Sequence, residues 1–568
     1  MIAMNELEKK NKKILEEVEK LKRQVKSLKS RKKYGLVWEE EKEPEQIVTE
    51  CQYKIPILKR AKGKEIVKDK TKPMNILIEG DNYHALSVLN YTHKGKIDVI
   101  YIDPPFNTGA KDWKYNNNYV DINDLYRHSK WLNMMSKRLW LAKNLLKEDG
   151  VLICAIDDNE VNHLGVLLEE IFKDYEIHCI TIVHNPRGIQ GNNFSYTHEY
   201  AFFVFRKGLR VIGPRKLKED EIYWSNLRKW GGVSLRSDAR NCFYPIIIRN
   251  NKIIGFGDIP LDGVHPRRQT EEKAGKYYVW PIDVEGVERK WRYSRQSIES
   301  VKDLLRLRKS GNRIEVEIGK PYGTVRTVWQ DPKYDASVYG TQLVHALVPR
   351  SHFDFPKSVF NVYDCLAPII LQRKNAIVLD YFAGSGTTGH SVMILNKEDG
   401  GNRSFILCTN NENGIAEDVC YPRLKKVIDG HRDYPDITKV AENLQYFKTE
   451  LLDIDHISHV SDEQKIRVTY QAGEMIALRE NAFDEIERNE WWQVFKNEGK
   501  HVAIYFKEDK SKLSELVRKM SRLQEVILYI FSWGKDEYKN EFTEYRNIRV
   551  EDIPEPIIDV YKEVNRLS

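Results

Sequence analysis

A strand-like apolar run that passes straight into a glycine-rich loop decides the fold of this chain: Ala376-Ile-Val-Leu-Asp380-Tyr-Phe-Ala-Gly384-Ser-Gly386-Thr-Thr-Gly389. A second run, Ile97-Asp-Val-Ile-Tyr-Ile102, passes into Asp103-Pro104-Pro105-Phe106 in the same way. Open α/β sheets hold their ligands in such loops, just outside the carboxyl ends of the strands. The two loops therefore predict a sheet whose functional site lies at one edge.

Strand-like and helical patterns alternate around these two runs. Alternation of this kind is typical of a mostly parallel sheet with helices on both faces. We therefore predict an α/β fold. The strand-like segments are 74–78, 151–156, 177–183 and 200–205, the main helical pattern covers about 123–146, and the same rhythm resumes at 359–430.

The chain of 568 residues is longer than one ordinary domain. Between 209 and 340 the segments shorten and tryptophans mix with Arg and Lys, which predicts an inserted domain; within it, 297–309 has a helical pattern. Separate apolar runs near the end predict a small C-terminal α/β domain. The predicted boundaries are 1–33 for a coiled-coil helix, 34–73 for a connector, 74–208 and 341–450 for the two parts of the sheet domain, 209–340 for the insertion and 451–568 for the C-terminal domain.

Residues 4–28 carry a heptad repeat with Lys and Glu at the outer positions. β-branched residues opposite leucine favour two strands, and an asparagine on the seam fixes their register. The pattern predicts a coiled-coil dimer; the alternative is one amphipathic helix that packs on its own protein. The two seams are Leu7, Ile14, Leu21 and Leu28, and Met4, Asn11, Val18 and Val25.

The net charge of +7 is concentrated in two segments. Residues 1–33 hold 12 Lys or Arg against 5 Glu, and residues 209–335 hold 26 Lys or Arg against 17 Asp or Glu. Localised basic segments are the electrostatic footprint of a protein that binds a polyanion. A solvated surface is the alternative interpretation of the same excess.

Seven cysteines are present and none forms a Cys-x-x-Cys pair, so the sequence predicts neither a disulfide framework nor a metal cluster. This usage fits a reduced compartment. The N-terminus is charged, and no continuous apolar run reaches about 18 residues. We therefore predict a cytoplasmic protein without a signal peptide or membrane span.

The Asp103 loop suits chemistry on an amino group attached to a flat ring. Such a nitrogen is a poor nucleophile because its lone pair is delocalised, and acceptors at its two hydrogens favour the reactive geometry. The Asp103 carboxylate and the Pro104 carbonyl could supply these acceptors, since consecutive prolines fix the backbone. Phe106 offers a face on which a base can stack. A plain Pro-Pro turn at a strand end is the alternative.

The glycine-rich loop matches the fingerprint G-x-G-x-x-G, in which glycines let the backbone approach a dinucleotide. A nicotinamide- or flavin-dependent oxidoreductase is therefore a second interpretation. That fingerprint expects an acidic residue after the next strand, whereas Ser404–Cys408 is followed by Thr409-Asn410-Asn411. A nucleotide triphosphatase is excluded, because no Gly-Lys-Ser or Gly-Lys-Thr follows the glycines.

Together these motifs resemble those of the β group of S-adenosylmethionine-dependent DNA amino-methyltransferases, and more narrowly the modification subunits of Type III restriction–modification systems. The order is typical of the β group: the catalytic loop precedes the cofactor loop, and a target-recognition insertion lies between them. The resemblance covers about 74–425. Its motifs are Tyr101–Gly109, Tyr126–Trp131, Asp149-Gly150, Ile156–Glu160, Asp380–His390, Thr409–Glu412 and Tyr421–Arg423.

The resemblance implies a Rossmann-like methyltransferase sheet and S-adenosylmethionine as the methyl donor; no metal site is expected. Thr409 or Asn410 stands where many relatives have the acidic residue that contacts the cofactor ribose. Lys357, in Phe355-Pro-Lys-Ser358, would lie near the cofactor carboxylate. The implied catalytic residues are Asp103, Pro104, Pro105 and Phe106, and the implied cofactor-binding residues are Asp81, Asn82, Lys357, Asp380, Phe382, Ala383, Gly384, Ser385, Gly386 and Thr387.

The resemblance predicts N6-adenine methylation of double-stranded DNA at a short sequence, with the target base flipped out of the helix. Asp at the start of the catalytic loop is usual for adenine in this family; cytosine-N4 methylation and an orphan methyltransferase are the alternatives. The coiled-coil pattern predicts a second copy of the chain as a partner, and the resemblance implies a separate ATP-dependent restriction subunit. A non-catalytic DNA-binding subunit is the last alternative.

Overall fold

The computed structural model describes Val18, Lys22 and residues 44–567, apart from 191–192, 218, 312, 350, 352, 535–536 and 539. The predicted coiled coil over 1–33 lies, except for Val18 and Lys22, outside the described residues and stays a prediction. The described residues form two compact units. One runs to Val211 and resumes at Arg326, and the other is the insertion Ile212–Val325.

The first part of the larger unit alternates strands and helices, as the patterns predict. The helical pattern at 123–146 corresponds to α3, and the strand-like segment at 200–205 corresponds to β10. The strands are β1 Lys54–Arg60, β2 Met74–Glu79, β3 Ile97–Ile102, β4 Ala110–Tyr115, β5 Asn118–Asp121, β6 Leu146–Ile156, β7 Tyr175–Val183, β8 Ile189–Gln190, β9 Ser195–Tyr196 and β10 His198–Arg206; the helices are α1 Gln46–Glu50, α2 Asn82–Thr92, α3 Arg127–Leu145 and α4 Val161–Ile171.

The inserted unit is built from short strands. They are β11 Arg215–Lys216, β12 Trp224–Asn226, β13 Ile246–Arg249, β14 Lys252–Phe256, β15 Thr270–Lys273, β16 Lys276–Val279, β17 Leu305–Ser310, β18 Arg313–Gly319 and β19 Tyr322–Gly323. The four strands β13 to β16 form one sheet, and β12, β18 and β17 form another. The helix predicted at 297–309 is wrong beyond Leu304, because the chain continues as β17 and pairs with β18. Only a short 3₁₀ helix, Ile298–Leu304, precedes that strand.

The larger unit resumes with β20 Val328–Trp329, β21 Ile377–Asp380, β22 Ser404–Thr409 and β23 Asn443–Asp453. The helices here are α5 Leu343–Leu347, α6 Val359–Ile370, α7 Thr387–Asp399 and α8 Tyr421–Asp429. β20 pairs with β7. The compact insertion is therefore shorter than the predicted 209–340, since residues from Arg326 onward belong to the larger unit.

Ten strands form one sheet in the order β1-β23-β2-β22-β21-β3-β6-β10-β7-β20. Neighbouring strands from β23 to β6 are parallel, and β10 is antiparallel to both of its neighbours. The predicted α/β class with a mostly parallel sheet is confirmed. β21 lies beside β3, with Leu379 opposite Ile100. The loops that follow Ile102 and Asp380 therefore leave the same edge side by side.

One polar residue inside the buried strand β3 is explained by its contacts. Asp98 is buried and accepts a hydrogen bond from the Ile377 backbone N–H at 2.9 Å. Its carboxylate also lies 2.8 Å from Lys147 Nζ and 3.4 Å from an Arg373 nitrogen. Asp98 therefore anchors the first residue of β21 on β3 and helps to align the two loops.

The C-terminal region adds a second sheet to the larger unit. Its strands are β24 Asp484–Arg488, β25 Trp492–Asn497, β26 Lys500–Tyr505, β27 Glu525–Phe531 and β28 Ile548–Ile553, and its helices are α9 Asp462–Gln471, α10 Gly473–Glu480, α11 Leu513–Met520 and α12 Glu555–Leu567. α12 packs back on the large sheet, where the Tyr561 hydroxyl donates to the Pro56 carbonyl. Among the described helices, none combines the length and the apolarity that crossing a bilayer requires.

Candidate active site at the carboxyl edge of the large sheet

The loop after β3 is held by hydrogen bonds on both sides. Trp131 on α3 is buried and donates its indole N–H to the Pro105 carbonyl at 2.7 Å. Asn107 follows the loop in a left-handed conformation, with φ of 57°. Its side-chain amide donates to Glu160 Oε1 at 2.5 Å. These contacts fix the backbone of Asp103–Phe106, as a preorganised site requires.

Asp103 lies beside a lysine and the aromatic ring of its own loop. Lys357 Nζ is 3.3 Å from Asp103 Oδ1 and 4.4 Å from the centre of the Phe106 ring. Burial raises the pKa of Asp103 to about 6, although the Lys357 ammonium opposes that shift. The Lys357 ammonium favours the ionised form of Asp103, which can accept hydrogen bonds. The structure thus brings Lys357 into contact with the catalytic loop.

The glycine loop after β21 turns sharply. Gly384 and Gly386 have positive φ angles of 48° and 80°, which residues with a Cβ rarely adopt. A Cβ at Gly384 would lie 3.0 Å from the Phe353 ring, and one at Gly386 would lie 3.0 Å from Cys420 Sγ. Glycine is therefore required here both by the backbone conformation and by the close neighbours.

Polar side chains inside this loop maintain its shape. Asp380 is buried and accepts hydrogen bonds from the Phe382 N–H at 2.9 Å and from a threonine hydroxyl of α7 at 2.5 Å. Burial raises the pKa of Asp380 to about 7. Arg423 on α8 is also buried and donates to the hydroxyls of Ser385 and Thr387, each at 2.8 Å. Three of the predicted cofactor-binding side chains are thus hydrogen-bonded within the protein.

Asp81 and Asn82 follow β2 at the same edge of the sheet. Asp81 caps α2 by accepting a hydrogen bond from a backbone N–H of the first turn at 2.7 Å. Arg138 on α3 is 2% exposed; it donates to Asn82 Oδ1, and its guanidinium lies 2.8 Å from Glu45 and 3.6 Å from Asp81. A buried arginine therefore fixes both predicted residues.

The residues at the position expected for the ribose contact differ in exposure. Thr409 ends β22 and is buried, and its carbonyl accepts the Gly80 N–H at 3.0 Å. Asn410 is exposed. Glu412 is turned toward the hairpin of β4 and β5, where its carboxylate lies 2.5 Å from Lys114 Nζ. Asn410 is thus the exposed polar side chain that directly follows β22.

Sequence reasoning missed two residues that complete the Asp103 surroundings. Glu199 on β10 forms an ion pair with Lys357, and Asn361 on α6 donates to Glu199 Oε1 at 2.7 Å. Neither belongs to a recognisable loop motif. The available signal was one glutamate in the otherwise mostly apolar and aromatic strand His198–Arg206.

Glu160, also missed as a functional residue, lies between two histidines. His128 Nδ1 is 2.6 Å from Glu160 Oε1, and His163 Nδ1 is 3.0 Å from Oε2. The two rings are tilted against each other, with centroids 4.5 Å apart and planes 30° apart. Glu160 Oε1 is hydrogen-bonded to both Asn107 and His128, whereas Glu160 Oε2 and His163 Nδ1 form no hydrogen bond at their separation of 3.0 Å. The cluster therefore connects α3 and α4 to the Asn107 side chain.

Two relatives of known class align with more than half of this chain. The Type II methyltransferase M.KpnI of Klebsiella pneumoniae is 29% identical over 404 residues, with coverage of 66% of this chain and 89% of that protein. The Type III restriction-modification enzyme EcoPI Mod subunit of Escherichia phage P1 is 29% identical over 388 residues, with coverage of 60% of this chain and 58% of that subunit. The chain therefore spans less than two thirds of that Mod subunit.

A solved complex of M1.HpyAVI with SAM matches 61% of this chain and 98% of its own, at 13% identity and a TM-score of 0.30, too low to identify a shared site. The family model described as DNA methylase matches residues 97–418, from β3 through the insertion and the glycine loop to the segment before α8. This match sets aside the oxidoreductase interpretation of the glycine loop. The chain belongs to the DNA methylase family.

Proposed function

We propose that this protein is a site-specific DNA methyltransferase that transfers a methyl group from S-adenosylmethionine to N6 of adenine. We further propose that it is the modification and recognition subunit of a Type III restriction–modification system. The observation that supports this proposal most directly is the position of Asp103. Its ion-paired carboxylate lies at the end of β3, beside the glycine loop of the adjacent strand β21. Family membership and the Type III Mod relatives support the proposal.

The residues at the sheet edge fit this cofactor. Gly384 and Gly386 present backbone at positive φ, which allows the close approach that a nucleoside cofactor needs. When bound, S-adenosylmethionine supplies an electrophilic methyl group on a sulfonium. We assign its methionine end to the loop Asp380–Thr387, which includes Phe382 and Ala383, and its adenine to Asp81 and Asn82.

The catalytic loop acts on the target amine. The Asp103 carboxylate and the Pro104 carbonyl accept hydrogen bonds from the two amine hydrogens, which favours the pyramidal nitrogen that can attack a methyl group. Phe106, which is partly buried, offers its ring for stacking with the flipped base. The Pro105 carbonyl does not take part, because it accepts the Trp131 indole N–H.

The inserted unit is the proposed target-recognition domain for double-stranded DNA. Some of its basic residues pack internally: Arg228 is buried and donates to the Ile282 carbonyl at 2.7 Å. Others lie at the surface, where they can reach phosphates or bases: Arg308 is 67% exposed, and Arg267 and Arg268 are exposed as well. Arginine is well suited to base recognition, because its guanidinium can donate two hydrogen bonds to O6 and N7 of guanine in the major groove.

The experiment that tests the proposed function is methylation of DNA by the purified protein, followed by nucleoside mass spectrometry. We expect N6-methyladenine, and sequencing that detects modified bases should place it at one short site. N4-methylcytosine without N6-methyladenine would reassign the target base. Unmodified DNA in the presence of S-adenosylmethionine would overturn the proposed activity.

The proposed assembly is a dimer that forms through the heptads of 1–33 and works in the cytoplasm with a separate ATP-dependent restriction subunit. Light scattering should give a dimer for the full chain and a monomer for a variant that lacks 1–33. A dimer that persists after the deletion would move the association to another surface.

A further inference from the structure

The Lys357 ammonium contacts two carboxylates and one ring. It is 3.3 Å from Asp103 Oδ1, it forms an ion pair with Glu199, and it lies 4.4 Å from the Phe106 ring centre. Although burial favours the neutral amine, the two carboxylates raise the pKa of Lys357. The lysine is therefore a cation that links the catalytic carboxylate and the Phe106 ring to Glu199 of β10.

Glu199 is well placed to hold this lysine. It is 2% exposed, it lies near the start of β10, and its second oxygen accepts a hydrogen bond from Asn361 Nδ2 at 2.7 Å. Burial disfavours its ionised form, but the Lys357 ammonium holds the pKa of Glu199 below its usual range. A buried carboxylate with a cation on one oxygen and an amide on the other has one well-defined position.

Several charges influence Asp103. Lys357 favours its ionised form, whereas the negative charge of Glu199 opposes it. His184, on the chain just after β7, influences Glu199. Besides the two carboxylates themselves, the titratable or charged groups that face Asp103 or Glu199 are Lys357, Asp157, Asp380, His184, Tyr101, Cys154 and Cys365.

We propose that Glu199 is a positioning residue that divides the charge of Lys357 between two carboxylates, so that Lys357 keeps Asp103 ionised without taking over the oxygen that receives the target amine. Lys357 thus serves the catalytic carboxylate and does not bind the cofactor carboxylate. This inference rests on the proposed methyltransferase function. It names Glu199 as a residue that acts through Lys357.

Two single substitutions should shift the pH dependence in opposite directions. Lys357→Met removes the cation, so Asp103 should protonate at higher pH. The acid limb of the pH–rate profile should therefore shift to higher pH by about one pH unit or more. Glu199→Gln removes the competing negative charge, so the acid side should move to lower pH. The maximal rate of Glu199→Gln, reached on the plateau of the pH–rate profile, should also fall, because Lys357 then binds Asp103 more tightly.

The experiment is single-turnover methylation at saturating S-adenosylmethionine between about pH 5 and pH 8, with wild type, Lys357→Met and Glu199→Gln. Glu176→Gln is the matched control, since Glu176 lies on the neighbouring strand β7, where its carboxylate is hydrogen-bonded to Gly208 and His178. The control should keep the wild-type profile. Cofactor affinity, measured by calorimetry, should change by less than about threefold in both test variants.

The results separate the inference from the proposed function. If the wild type transfers no methyl group to DNA, the proposed function fails, and the inference fails with it. If the wild type is active and the two variants shift in the same direction or not at all, only the inference fails. If Lys357→Met loses cofactor affinity while its far-ultraviolet circular dichroism shows a normal fold, Lys357 binds the cofactor and the inference is wrong. Lys357→Arg retains the charge and should restore the acid side of the profile.

Discussion

Trp131 fixes the catalytic loop through a single hydrogen bond, from its buried indole N–H to the Pro105 carbonyl at 2.7 Å. The carbonyl is part of the loop that positions Asp103. If this bond is removed, the carbonyl is left without its partner and the loop can sample other orientations. The indole therefore acts on the reaction without touching a substrate.

Trp131→Phe tests this role because it keeps an aromatic ring and removes the donor. We expect a decrease of about 1–3 kcal/mol in unfolding free energy and a lower single-turnover rate, with unchanged cofactor affinity. Denaturant melts and single-turnover kinetics measure the two effects. Trp533→Phe, which removes a solvent-exposed indole bond to Glu508, is the control. Equal rates for Trp131→Phe and wild type would show that the indole does not position the loop.

At the residue scale, the sequence predicted the groups that belong to loop motifs and missed those that reach the site from other elements. Asp103 and the glycine loop are visible because unusual backbone requires Pro and Gly. Glu199 lies on a regular strand and Arg423 on a regular helix. No local sequence pattern shows which distant groups the side chain of such a residue will contact. Arg423 stood out only as part of a motif, and its bonds to the Ser385 and Thr387 hydroxyls follow from the packing of α8 against the glycine loop.

At the scale of elements, Arg138 joins α3 to two segments at the starts of helices. Its guanidinium binds Glu45, before α1, and Asn82, at the start of α2, and these contacts lie in a largely buried region. Removing one member of a buried charge pair costs more than the pair contributes, because the remaining charge stays buried without a partner. The predicted adenine-contact segment thus depends on a residue 56 positions away in sequence.

Arg138→Met should therefore lower the unfolding free energy by about 3–5 kcal/mol and weaken S-adenosylmethionine binding. Thermal melts and calorimetry measure both effects. Lys425→Met, on the exposed side of α8, is the matched control and should change neither quantity. A normal melting temperature for Arg138→Met would contradict the structural role of the contacts between Arg138 and Glu45.

The elements themselves were predictable where hydrophobic periodicity is strong, as in α3 and β10. The failure at 297–309 has a physical cause: Leu305, Leu307 and the intervening arginine fit a helix or a strand, and pairing with Arg313–Gly319 selects the strand. β20 was missed because two residues, Val328–Trp329, carry no periodicity at all.

For the whole molecule, the parallel sheet explains why two loops about 280 residues apart in sequence work together: β3 and β21 are adjacent, so their carboxyl ends meet. The shared edge followed from the α/β prediction, but the strand order did not, since it depends on pairings between segments far apart in sequence, such as β2 with β22 and β23. Composition predicts an insertion at 209–340, and the compact unit of the structure spans Ile212–Val325.

Arg267→Ala together with Arg268→Ala tests the insertion as a DNA-binding unit. We expect weaker DNA binding and a salt dependence that is shallower by about 0.9 for each phosphate that the variant no longer neutralises, with unchanged cofactor affinity. Fluorescence anisotropy at several salt concentrations measures this. Arg432→Ala, which removes a 90% exposed arginine outside the insertion, is the control. Unchanged salt dependence would exclude these two arginines from the DNA interface.

The decisive measurement is single-turnover methyl transfer by Asp103→Ala together with its affinity for S-adenosylmethionine. We expect the rate to fall by at least about 10²–10³-fold while cofactor binding is retained, because the carboxylate acts on the target amine and not on the cofactor. Transfer at the wild-type rate in this variant would contradict the role of Asp103 as the acceptor for that amine.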